Sequence, residues 1–154
     1  MSMLVRNWMK TTPTKIPSDT LVTEAKRLLI DNNLNAVLVV DEGRLRGLIT
    51  RHNIMRMSHY VMRTQNADEV RFFVDRLKVR DIMVRKPATV QADDSIRHCL
   101  KYGNELMVAQ FPVLEGEQVV GIISAKEIFQ IAAHFAGALD ESNTLLRRRT
   151  DTPS

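Results

Sequence analysis

The chain has 154 residues, 44% of them hydrophobic and 26% charged, and a formal net charge of +4. That composition suits one modest domain or two tightly paired halves, and it excludes a disordered or fibrous polymer. Cys99, the one cysteine, excludes an internal disulfide and points to a reducing, cytoplasmic setting. Arg6 and Lys10 interrupt any N-terminal signal core, and the uncharged stretch 128–139 is too short to cross a bilayer.

In chain order, Thr14-Lys15-Ile16 reads as a short extended segment ahead of Pro17. Asp19 or Thr20 is the predicted cap of a helix with Leu21, Ala25, Leu28 and Leu29 on one face. Asn32-Asn33 ends that helix, because Asn tolerates the left-handed conformation found just past a helix. Residues 36–40 form a continuous apolar run, as in a strand covered on both faces. Asp41-Glu42-Gly43-Arg44 is a turn, residues 45–49 return as the next strand, and Thr50 opens a helix with Ile54 and Met57 inward. Residues 58–78 read as a bridging helix through Val70, Phe73, Val74 and Leu77, with Asp68 as its cap.

The second half follows the same order. Asp94 or Ser95 caps a helix carrying Ile96, Cys99, Leu100 and Gly103. Residues 111–114 and 119–123 are strands joined by Glu115-Gly116-Glu117, and Ser124 opens a last helix with Ile128, Ile131 and Phe135. The tail, residues 140–154, contains Arg147-Arg148-Arg149 and is expected to be frayed and solvated. A nucleic-acid or membrane-surface role for it is a rival reading, although no aromatics interleave with the arginines for base stacking.

The halves are copies at an offset of 74 residues: Val5-Arg6-x-x-Met9 returns as Val79-Arg80-x-x-Met83, Pro13 as Pro87, Gly47 as Gly121, Thr50 as Ser124 and Ile54 as Ile128. A period this long means two supersecondary units, each too small to bury a good core alone. The expected architecture is therefore α+β, with two β-α-β-β-α repeats (1–57 and 79–139) packed about a pseudo-twofold axis. Clefts at their seam are the expected seat of function. In each copy a strand ends in Gly-x-x-Thr/Ser and runs into a helix, placing a hydroxyl beside free backbone N–H groups where an anion can bind.

These strings, Leu38-Val39-Val40-Asp41 with Gly47-Leu48-Ile49-Thr50-x-x-Asn53-Ile54 and Pro112-Val113-Leu114-Glu115 with Gly121-Ile122-Ile123-Ser124-x-x-Glu127-Ile128, resemble the CBS domain as a tandem pair. The bridging stretch 72–79 is similar to that of stand-alone AcuB-like CBS proteins. The resemblance implies a regulatory module, not an enzyme, that binds AMP, ADP, ATP, S-adenosylmethionine or a similar adenosyl ligand, with an energy-sensing role and a disc-like homodimer. By the family pattern one cleft combines Thr50, Arg51 and Asn53 with Ala88, Val108, Ala109 and Gln110, with His52 also at its phosphate corner. The other combines Ser124, Lys126 and Glu127 with Thr14, Leu34, Asn35 and Ala36.

The position that most often holds Asp in nucleotide-binding relatives is Asn53 or Glu127 here. Asn loses charge assistance, while Glu is longer and repels phosphate unless Lys126 offsets it, so the Asn53 cleft ranks ahead. Thr50 and Ser124 also suit plain helix caps, with Asn53 and Glu127 as ordinary first-turn residues. The rival to a ligand sensor is a scaffold whose clefts bind nothing and whose partner is a protein. His52, His59, His98, His134 and Cys99 lack metal-ligand spacing, no phosphate-loop or nucleophile-elbow motif is present, and neither a metal nor a required cofactor is expected.

Overall fold

A computed structural model describes residues 3–62 and 67–150. Its first sheet has the order β1 (Lys15–Ile16), β2 (Ala36–Asp41), β3 (Arg44–Thr50), β4 (Val84–Arg85). The second has the order β5 (Val90–Gln91), β6 (Phe111–Glu115), β7 (Gln118–Ile123). The helices are α1 (Val22–Asp31), α2 (Arg51–Met62), α3 (Ala67–Val74), α4 (Val79–Ile82), α5 (Ile96–Leu106) and α6 (Ala125–Thr150). In each copy a short strand pairs parallel with the first strand of an antiparallel hairpin. The first hairpin turns through Glu42 and Gly43, both at positive φ, which the twist of a two-residue turn requires.

Side-chain alternation sorts the apolar residues into three clusters. Val37, Val39 and Ile49 face one way and pack with Val22, Ala25 and Leu29 of α1. Phe111, Val113 and Ile123 do the same with Ile96 and Cys99 of α5. Between the sheets, Ala36, Leu38 and Leu48 meet Val119 and Ile122, forming the seam on which the halves join. The strands are therefore covered on both faces, and the molecule is a mixed α+β pair of repeats.

The opening segments exchange places. Val5 is fully buried in the second core, and Val79 in the first. The Val5 N–H donates to the Asp94 carbonyl at 2.9 Å, and the Val79 N–H donates to the Thr20 carbonyl at 2.8 Å. Arg6 donates from its backbone to Ala92 and Arg80 to Ser18, and the Ile96 N–H meets the Met3 carbonyl just as Val22 meets Leu77. Every one of these pairs maps onto its counterpart by adding 74 to one partner and subtracting it from the other, which is the pseudo-twofold relation. On the surface Arg6 also pairs with Asp93 and Glu115, which ties the first arm to the second repeat. Residues 3–10 thus pack with the second repeat, not within the 1–57 unit read from the sequence.

Three further expectations are corrected. The cap of α1 is Leu21, without a side-chain bond, because the Leu77 carbonyl and the bridge between Leu21 and Lys78 take over what Asp19 or Thr20 was expected to supply. Ser95 does cap α5, accepting from the His98 N–H at 3.0 Å. The bridging helix does not begin at Ser58: α2 continues to Met62, α3 starts at Ala67, and Asp68 lies in its first turn. The tail is helical, since α6 runs unbroken to Thr150; residues 151–154 lie outside the described residues.

Candidate functional site

Each copy presents the end of its hairpin as the start of a helix, and in both the side chain three residues on reaches back to close that corner; in the first copy the bonds are reciprocal, a full capping box. The Asn53 Oδ1 accepts from the Thr50 N–H at 2.9 Å and from its hydroxyl at 2.7 Å, while Thr50 Oγ1 accepts from the Asn53 N–H. In the second copy one carboxylate oxygen of Glu127, Oε2, accepts from both the N–H and the hydroxyl of Ser124. Oε1 takes no bond among the described residues. Burial of Glu127, only 6% exposed, is tolerable because those two donors compensate its charge.

The corner of Ser124 opens on a cavity of about 300 Å³ whose walls come from both repeats, near the lower end of the roughly 300–1,000 Å³ common for small-molecule sites. Ser124, Lys126 and Glu127 line one side and Thr14, Leu34, Asn35 and Ala36 the other, so all seven residues grouped from the sequence meet here. Lys10, Pro13, Asn32, Asn33 and Ile122 complete the lining. Lys10 arrives through the arm exchange, its N–H donating to the Ile122 carbonyl at 2.9 Å and its carbonyl accepting from Ile122 at 3.0 Å. No local pattern marks it, because its counterpart at the 74-residue offset is Val84. Two lysines against one carboxylate leave the lining with net positive charge.

The other corner is arranged differently. Val108 and Ala109 line a second, largely apolar cavity of about 450 Å³ with Cys99, Gly103, Met107 and Ile128, but Thr50, Arg51 and Asn53 do not line it. Ala88 packs against the second core and Gln110 is half-buried beside β6. Arg51, expected at the phosphate corner of this cleft, is turned away from it. Its Nε donates to the Leu34 carbonyl at 2.6 Å, and its Nη2 to the Leu29 carbonyl and the Asn33 Oδ1. It pins the bend that lines the opposite cleft. The matching position in the second copy is Ala125, and there the bend passes through Met107 at φ 55 with its side chain 92% exposed.

Burial pushes the Cys99 thiol up to about 11, so it stays protonated and inert at neutral pH. No cluster of His, Cys, Asp and Glu among the described residues is arranged to hold a metal. No helix among the described residues is long and apolar enough to cross a membrane.

The sequence profile of the CBS domain matches twice, over residues 5–60 and 79–134. The chain belongs to the CBS-domain family. It is 26% identical to the CBS domain pair of protein MJ0100, solved in complex with 5′-methylthioadenosine and S-adenosyl-L-methionine, with a TM-score of 0.71 over 87% of this chain and 98% of that one. It shares its fold, at 16% identity and a TM-score of 0.75 over 92% of this chain and 98% of the other, with a Vibrio cholerae chain assigned as an acetoin utilization protein (AcuB). Among curated proteins it is 25% identical over 132 residues to an inosine-5′-monophosphate dehydrogenase of Korarchaeum cryptofilum. This chain spans about a quarter of the length of the first curated relatives it matches, covering 84% of its own residues but 24% and 23% of theirs.

Proposed function

We propose that this CBS pair is a regulatory module that binds an adenosine-containing ligand in the cleft of Ser124 and Glu127. One observation carries the reading: a single cavity gathers the hydroxyl-and-carboxylate corner of one repeat and the 34–36 bend of the other. The adenine lies against Leu34, Ala36 and Ile122, and Glu127 Oε1 accepts from a ribose hydroxyl. The anionic end meets Lys10, Lys126 and the first N–H groups of α6. The net positive lining favours a phosphate-bearing ligand over one with a cationic sulfonium. The same geometry supports ranking this cleft ahead of the Asn53 cleft, the reverse of the order argued from residue type alone. A ligand that spans both repeats biases their relative orientation only as far as its affinity differs between the two arrangements.

The second reading, a scaffold that recruits a protein partner, draws on the corner hydrogen bonds, which engage Asn53 and Glu127 without any ligand. Thermal unfolding with AMP, ADP, ATP, S-adenosylmethionine and NAD, each in excess, separates the two. A ligand at ~100 times its Kd stabilises by ~2.7 kcal/mol, a shift of several degrees for a chain of this size. The expected result is a shift with an adenine nucleotide, none with GMP, and loss of the shift in Lys10→Ala/Lys126→Ala, whose two side chains are exposed and leave the core intact. No shift with any of the five on folded protein selects the scaffold.

A further inference from the structure

We infer that the largely apolar cavity at the 107–109 bend binds a neutral small molecule that carries one N–H or O–H donor. In the first repeat the side chain of Arg51 is held by Leu29, Asn33 and Leu34. Their counterparts at the 74-residue offset are Gly103, Met107 and Val108, and all three line this cavity of about 450 Å³. The counterpart of Arg51 itself is Ala125. The cavity therefore stands where a second strut would lie, and a methyl group cannot fill it.

The lining defines the chemistry of an occupant. The Leu34 carbonyl takes the Arg51 Nε at 2.6 Å, whereas the Val108 carbonyl accepts no hydrogen bond among the described residues. It stands over Gly103, where a Cβ would meet its oxygen at 2.8 Å. An unpaired carbonyl beside Cys99, Leu100 and Ile128 suits one donor on an apolar body. No Lys, Arg, Asp or Glu lines the cavity, so an ion entering it would lose hydration without compensation. The rim carries a second mark. Asn33 suits its φ of 50, but Met107 holds φ 55, a region that its side chain does not favour. That side chain is 92% exposed, and folding so flexible a thioether over an apolar occupant removes it from water.

The inference goes beyond nucleotide binding and does not rest on it, because this cavity and that of Ser124 share no lining residue. The probe is indole, flat and neutral with one N–H donor, and indene has the same shape without the donor. In protein with carbon-13 methionine methyl groups, Met107→Leu identifies the Met107 signal, and indole should shift that signal saturably. Indene should bind about fivefold more weakly, the loss expected for one hydrogen bond. Ala125→Arg should abolish the shift by placing a guanidinium in the cavity. Ala109→Phe, at an exposed lining position, should abolish it from the rim. Circular dichroism matching the parent's shows which variants are folded. No saturation by about 1 mM, the weak end of the affinity scale, overturns the inference. So does indene binding as well as indole, or undiminished binding in the folded variants. Adenosine binding more tightly than indole at the same methyl group overturns it too, because the cavity would then belong to a nucleoside.

Discussion

Arg51 carries a fork of donors into the bend that follows α1, and three acceptors there, two of them carbonyls, take its bonds. The Leu29 carbonyl lies in the last turn of α1 and the Leu34 carbonyl in the bend that follows, and guanidinium reaches both with a geometry that an ammonium cannot copy. Arg51→Ala should therefore lower stability by about 1–2 kcal/mol. It should also weaken ligand binding at the Ser124 cleft, whose wall it holds, and Arg51→Lys should recover little of either. Urea denaturation and calorimetric titration read the two effects separately. The residue types of both corners were legible in the sequence, because Gly-x-x-Thr/Ser at one offset is a local pattern. The direction Arg51 takes was not legible. Its partners lie 17 to 22 positions away, and nothing local distinguishes an arginine that meets phosphate from one that braces a bend.

At the level of elements, each repeat's opening methionine lies on the other repeat's hairpin glycine. A Cβ on Gly121 would meet the Lys10 carbonyl oxygen and Met9 Sδ, both at 2.7 Å, and one on Gly47 would meet Met83 Sδ at 2.6 Å and the Val84 carbonyl. Gly121→Ala must push back the arm's backbone, so it should cost about 1–3 kcal/mol, as overpacking does. The same change at Gly137, where nothing lies within 4 Å, should stabilise by up to about 1 kcal/mol through helix propensity. Opposite signs for one chemical substitution, measured by denaturant titration, check the contact. Strands, hairpin turns and the left-handed Asn33 followed from local periodicity and backbone preference. The arm exchange did not, because identical offsets leave an arm's own core and its neighbour's core indistinguishable. The length of α6 was missed for a different reason. Its polar end resembles a solvated tail in composition, but neither glycine nor proline lies between Gly137 and Thr150.

For the whole molecule, exchanged arms and a shared seam make the halves interdependent. Trp8 belongs to the first repeat by sequence but sits 5.3 Å from the His134 ring and 6.3 Å from that of Phe135 on α6. Its fluorescence therefore reports the second half. Unfolding followed by Trp8 and by far-ultraviolet circular dichroism should coincide in a single transition, with calorimetric and van't Hoff enthalpies equal. Two separated transitions would mean that the arms contribute little. The exchange also bears on ancestry. A lone repeat has its arm directed at a core other than its own, so two such chains would complete each other as an arm-swapped homodimer. Such a homodimer must carry two identical clefts, and every substitution in one appears in the other. Fusion into one chain makes the association intramolecular and independent of dilution, and it releases the copies from identity. One bend has an arginine strut while its twin has alanine at the same place, so a single molecule can hold a shaped pocket on one side and a different surface on the other.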